Sequence, residues 1–263
     1  MDYQLTIRGD VMRKLSTTVS ILVAALGLGA ASAQAAEIRV LASNGIKAAI
    51  EELKPQLEQA SGSTLSIDFN TAATLRERIE KGEAFDVAIL TDDATDALIK
   101  TGKLSPMMRT RLARVGIGVG FRKGAAKPDV RTAAGIKQAL LNAKAIAYTG
   151  NGASRPAIDT MIERLGIAKA LQPKSHLTAA GAAPASVAKG ESDLVLTLIS
   201  EILPEPGVEL AGPLPSDFQT YLGFSAAPSP NAARSAGVGA FIKFLRGNAA
   251  AAAYKAKGME ATR

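Results

Sequence analysis

Apolar positions along the chain switch repeatedly between strand-like and helix-like spacing. Ile38-Arg39-Val40-Leu41-Ala42 reads as a short strand, and Ser43-Asn44-Gly45 supplies a turn. From Ile46 to Ala60, Ile46, Ala49, Ile50, Leu53 and Leu57 then recur on one helical face. The order repeats: Thr64 to Phe69 predicts a strand, Thr71 to Lys81 a helix closed by Gly82, and Asp86 to Leu90 a buried strand. Asp92-Asp93 then opens another helix with acids that suit the positive end of its dipole. Strands alternating with helices predict mostly parallel sheets with helices on both faces.

The continuous apolar stretch Val115 to Phe121 predicts a strand that passes from one lobe to another, where a second series starts. Ile136 to Asn142 reads as a helix, Ala145 to Tyr148 as a strand, Pro156 to Leu165 as a helix ended by Gly166, and Leu194 to Leu198 as a strand. Thr178 to Gly190, rich in Ala and Gly, reads as a loop leading into a short helix. The Pro-punctuated stretch from Pro204 to Pro215, with Tyr221 to Ala226, predicts a second crossing. Val238 to Ala256 predicts a single terminal helix with Phe241, Phe244 and Leu245 on its core face. Two βα series and two crossings make an α/β protein of two lobes around a cleft, the first of residues 37–117 and 221–263, the second of 118–220.

The N-terminus changes the picture of where this protein works. Arg13 and Lys14 precede an apolar run, Ile21 to Ala31, and two overlapping A-x-A frames, Ala31-Ser32-Ala33 and Ala33-Gln34-Ala35. That order predicts a secretory signal peptide cleaved near residues 33–36, with residues 1–11, ahead of Met12, as an upstream extension. The run is shorter than the roughly 20 residues that span a bilayer. No Cys occurs, which excludes disulfides, thiolate metal sites and a lipid-linked N-terminal Cys. A free, monomeric periplasmic protein is expected. The net charge of +7 comes from Lys and Arg scattered among acids, with four Tyr, seven Phe and no Trp. Such scatter predicts no nucleic-acid partner and suits a mild field that attracts small anions.

Catalytic candidates are few. The single His, His176, has no paired Asp or metal-ligand spacing around it, no G-x-S-x-G elbow is present, and Gly118-Val119-Gly120 lies inside an apolar run. The expectation is therefore no enzyme, no cofactor and no bound metal; an exported hydrolase would need His176 within reach of a Ser or carboxylate. Helix N-termini are the stronger signal, because their free amides and dipole hold anions. Three stand at the ends of predicted strands: Ser43-Asn44-Gly45, Asn70-Thr71-Ala72-Ala73-Thr74, and Gly150-Asn151-Gly152-Ala153-Ser154-Arg155-Pro156. Ligands of open α/β sheets bind at such ends.

Several segments resemble the periplasmic molybdate-binding family of type II solute-binding proteins for ABC importers. They are Ile38 to Ala42 before a helix, and Thr74-Leu75 with Ile79-Glu80-Lys81-Gly82-Glu83-Ala84-Phe85-Asp86-Val87, similar to that family's TLA-x-x-IE-x-GAPAD, together with the Leu165-Gly166 helix end. The resemblance spans residues 37–263 and implies the two-lobed type II periplasmic binding fold, a small anionic ligand in the interlobe cleft, and an inner-membrane ABC permease as partner. A soluble receptor for a membrane kinase would use the same module. The family's two Ser and one Tyr side chains on the oxyanion align with Gly45, Ala72 and Leu198, and its backbone donors with Ser154 and Ala180. Without those hydroxyls, and with Arg155 beside the second-lobe amides, a carboxylate is favoured over a molybdate-like oxyanion. The predicted ligand-binding set is Ser43, Asn44, Gly45, Thr71, Ala72, Ser154, Arg155 and Ala180.

Overall fold

The structure, a computed structural model, describes residues 36–262. The predicted leader and its A-x-A frames lie outside the described residues.

The first βα series follows its apolar pattern closely. Strand β1 (Glu37–Ser43) ends in a single 3-10 turn, Asn44–Ile46, that feeds α1 (Lys47–Ser61). Strand β2 (Thr64–Asn70) leads to α2 (Ala72–Glu80), and β3 (Val87–Thr91) to α3 (Asp92–Lys100). β1 pairs in parallel with β2 on one side and β3 on the other. Ile50, Leu53 and Leu57 of α1 are buried at helical spacing, so the predicted face is the one the sheet covers.

β4 (Thr110–Arg122) is longer than its apolar stretch, because in its first half Arg111 and Arg114 face outward. The second series is α4 (Ala133–Asn142), β5 (Ile146–Thr149), α5 (Arg155–Arg164), α6 (Ala168–Leu171), β6 (Ser175–Thr178), α7 (Ala183–Ala188), β7 (Leu194–Leu198) and α8 (Ile199–Ile202). β5 lies parallel between β6 and β7. β8 (Val208–Pro213) and β9 (Tyr221–Pro228) follow, then α9 (Ala236–Phe244), α10 (Asn248–Ala256) and a short β10 (Glu260–Ala261). The main path through the sheet is β2-β1-β3-β9-β4-β7-β5-β6, with β8 and β10 also on β4.

The two long strands at the centre run antiparallel to their neighbours and change partners along the way. Residues Thr110–Gly116 of β4 pair with β9, whereas Ile117–Phe121 pair with β7 and Gly118–Arg122 with β8. At that switch the Gln219 side chain accepts from the Ile117 amide at 2.9 Å and donates to the Ile117 carbonyl at 2.9 Å. One side chain thus bonds the segment entering β9 to the middle of β4.

Three elements differ from expectation. The stretch after Pro204 holds a strand, β8, paired to β4. β6, a four-residue edge strand, forms just ahead of the Ala/Gly stretch, where no strand was expected. The C-terminal helix is two helices, broken between Phe244 and Asn248, where the extended Gly247 donates to the Phe244 carbonyl at 2.8 Å. Both halves pack against α1. Tyr254, 1% exposed, donates to the Leu245 carbonyl at 3.0 Å across that break, and burial pushes its hydroxyl pKa up.

Candidate functional site

On the first lobe, β1 delivers Ser43, buried, and Asn44, half-buried, to the start of α1. Thr71 is the N-cap of α2: its Oγ1 accepts from the Thr74 amide at 3.2 Å and bonds the Thr74 hydroxyl at 2.9 Å. The amides of Ala72 and Ala73 in the first turn have no intrahelical acceptor. On the second lobe Ser154 precedes α5, buried, with its side chain making no capping bond. The loop before it is tightened by Gly152 N–H to the Thr149 carbonyl at 3.2 Å and Arg155 N–H to the Gly152 carbonyl at 2.9 Å.

The starts of α2 and α5, though not that of α1, converge on a cavity of about 1110 Å³. Its walls are Ala72, Ala73, Arg76, Glu77 and Glu80 of α2, Thr91–Ala94 at the start of α3, Gly150–Ala153 before α5, Arg155, Pro156, Ala157 and Asp159 within it, and Thr220–Gly223 entering β9. Three helix dipoles therefore present their positive ends to one space. Asn151 donates to Thr74 Oγ1 at 3.1 Å, joining the α5 loop to α2. Outside the lining of this cavity, Ser200 donates to the Gly45 carbonyl at 2.6 Å, and Asn44 lies against Gly181 in the turn before α7.

The charged side chains are held rather than loose. Arg76 Nε bonds Glu80 Oε1 at 2.8 Å, and Arg155 Nε bonds Asp159 Oδ1 at 2.7 Å. Arg155 also stacks its guanidinium 4.2 Å above the centre of the Tyr148 ring. Asp92 Oδ1 accepts from Ser225 Oγ at 2.5 Å, with Arg111 Nε 3.7 Å from its other oxygen. Any side chain at Gly223 would overlap that carboxylate, so the bare backbone there is what admits Asp92.

Of the eight predicted site residues, two line the cavity and six do not. Ala72 and Arg155 line the cavity. Ser43, Thr71 and Ser154 are buried at helix starts, and Ala180 sits exposed in the turn before α7 beside Gly181. Asn44, from the first βα series, meets that turn. Gly45 is covered by hydrocarbon: a Cβ there would lie 2.5 Å from Phe224 Cζ and 2.6 Å from Leu198 Cδ1. The sequence gives no warning of Arg76, whose pairing with Glu80 looks like any exposed helical ion pair, nor of Thr178, whose Oγ1 is buried without a partner at the carboxyl end of β6. His176 Nδ1 does come within 2.8 Å of the buried Ser192 Oγ, with no carboxylate bonded to the ring among the described residues.

Residues 38–260 match the family described as bacterial extracellular solute-binding protein. The chain belongs to that family. In structure it resembles the periplasmic molybdate-binding protein of Azotobacter vinelandii, with a TM-score of 0.71, 19% identity, and coverage of 86% of this chain and 100% of that one. PEB3 of Campylobacter jejuni, solved with L-phospholactate bound, superposes with a TM-score of 0.60 and 19% identity over 85% of this chain and 99% of that one. The two-lobed fold and the molybdate-binding-like kinship are as expected. In sequence the chain is 27% identical to an aconitate isomerase of Pseudomonas sp over 228 residues, covering 85% of this chain and 87% of that protein. That relative corrects the expectation that the chain is no enzyme, which rested on the lack of Cys and of a His-centred triad. Proton transfer needs neither, since positioned carboxylates perform it.

Proposed function

We propose that the chain captures a small polycarboxylate, of aconitate's chemical class, in the interlobe cavity and interconverts its isomers. The observation that carries this reading is the relative named aconitate isomerase, matched along most of both chains. Three structural features support a carboxylate over a tetrahedral oxyanion. Gly45 offers no hydroxyl and is packed by Phe224 and Leu198. The cavity, about 1110 Å³, leaves room for an organic ligand of several carbons. Arg155, which lines it, carries the planar fork that fits a carboxylate. The L-phospholactate of the PEB3 structure, with its phosphate and carboxylate, is likewise an organic ligand with two anionic groups.

Isomerising an unsaturated tricarboxylate by proton shift breaks one C–H bond at the methylene carbon, moves the double bond one place, and forms one C–H bond at the former vinyl carbon. No external oxidant or reductant enters. Asp92 is the carboxylate we assign to that transfer, because it lines the cavity and is oriented by Ser225 and Arg111. Proton NMR of cis- or trans-aconitate incubated with the protein in deuterated water tests it. Appearance of the other isomer with deuterium in the carbon chain is expected, and Asp92→Asn should abolish it while binding persists. Unchanged substrate, bound but never converted, would remove the isomerase assignment.

The match to the extracellular solute-binding family supports a second reading, delivery of the same ligand to an ABC permease in the inner membrane. Export through the leader, with cleavage near residues 33–36, belongs to both readings, as do a monomeric state and a lobe division at residues 117/118 and 220/221.

A further inference from the structure

Arg76 and Arg155 stand on different lobes and line the same cavity. Arg76 is one turn inside α2, and Arg155 opens α5; the Asn151–Thr74 bond at 3.1 Å ties the beginnings of these helices together. The two guanidiniums are held in the same manner. Each gives its Nε to a carboxylate four residues further along its own helix, Glu80 at 2.8 Å and Asp159 at 2.7 Å. Among the described residues neither makes another hydrogen bond, so in both the edge carrying the two Nη groups is uncommitted. For Arg155 the ring of Tyr148 also fixes the plane. A guanidinium anchored through Nε is a pre-oriented fork, and the remaining edge matches the two oxygens of a carboxylate.

We propose that Arg76 and Arg155 act as a two-point reader across the cleft, each taking one carboxylate of the same ligand. Resting on the carboxylate reading above, this narrows the ligand to acids with at least two carboxylates separated by a short carbon chain. A monocarboxylate can satisfy only one fork and cannot bridge the lobes. Glu80 and Asp159 already balance the two positive charges, and Glu77, Asp92 and Asp93 line the same cavity, so what each arginine adds is geometry rather than net charge. Lysine cannot replace that geometry, because an ammonium has no fork.

Calorimetric titration of the wild type, Arg76→Gln, Arg76→Lys and Arg155→Gln with propane-1,2,3-tricarboxylate, succinate and propionate tests the assignment, with circular dichroism confirming that each variant is folded. The wild type should prefer the tricarboxylate and succinate to propionate by about tenfold or more, the effect of one added charge-assisted pair. Arg76→Gln should erase most of that preference by weakening the polycarboxylates, with only partial rescue in Arg76→Lys. Tricarboxylate affinity within about twofold of wild type in folded Arg76→Gln would reduce Arg76–Glu80 to a surface ion pair and overturn the two-point reader while leaving the carboxylate reading intact. Equal weakening of all three ligands would also overturn it. A wild type that binds none of the three acids would overturn both.

Discussion

Gly45 gives the sharpest structural test, because the consequence of one added methyl group can be worked out from its neighbours. A Cβ at this position would stand 2.5 Å from Phe224 Cζ and 2.6 Å from Leu198 Cδ1, far inside van der Waals contact. Both neighbours are buried, at 1% and 4% exposure, and Leu198 belongs to the second series, so the methyl acts as a wedge between the two series. Overpacking of this kind costs about 1–3 kcal/mol. For a chain of this length that corresponds to a fall of roughly 2–12 °C in Tm. Gly45→Ala measured by thermal denaturation, without and with saturating tricarboxylate, should show that loss, together with a smaller ligand-induced rise in Tm. Phe224→Leu should be less harmful in the Gly45→Ala background than in wild type, since the shorter side chain relieves the overlap. An unchanged Tm in Gly45→Ala, or strictly additive effects in the double variant, would show that Phe224 and Leu198 yield freely and that Gly45 does not set the approach of the two series.

Burial raises the pKa of Glu201, which follows Ser200 at the Gly45 contact; its bond from Thr197 opposes the shift without cancelling it. A carboxyl raised in the folded state loses stability as pH climbs through the unfolded value of about 4.3 towards the folded one. Glu201→Gln should therefore have a higher Tm than wild type at pH 7 and the same Tm below about pH 4; equal Tm at pH 7 would contradict this. Gln219→Ala removes both bonds to Ile117 and should cost about 1–3 kcal/mol in urea unfolding. Gln219→Glu, which keeps the acceptor and loses the donor, should fall between, and small-angle scattering of the alanine variant should show a wider distribution of lobe separations if residues 117/118 and 220/221 are the turning points.

Most of the fold was legible because its βα units bury continuous faces: Ile50, Leu53 and Leu57 of α1, or Leu194–Leu198 of β7, declare themselves by spacing alone. β4 was legible only in its second half, where both faces are covered; in the first half Arg111 and Arg114 point to solvent and dilute the pattern. β6 has four residues, with Ser175 and Leu177 exposed, so it carries no apolar signature at all. The terminal helix was read through its break because the alanine run after Asn248 favours helix so strongly that Gly247 was outweighed. At the site, the cap Thr71 was visible as local turn chemistry, whereas Ser154 stands at its helix start without a capping bond. Arg76 was not, since its significance lies in facing the same cavity as Arg155, and neither was the Phe224–Leu198 cover over Gly45, which joins residues from three distant segments. Counting Cys and His misjudged the chemistry for a similar reason: a carboxylate such as Asp92 becomes a candidate only once Ser225 and Gly223 are seen to hold it.

On the proposed reading the interlobe cavity takes a polycarboxylate. Calorimetric titration of the chain from residue 36 onward with propane-1,2,3-tricarboxylate, and in parallel with molybdate, tests it most directly. Saturable uptake of one tricarboxylate per chain, with no heat from molybdate, is the predicted result; stoichiometric binding of molybdate with none of the tricarboxylate would contradict it.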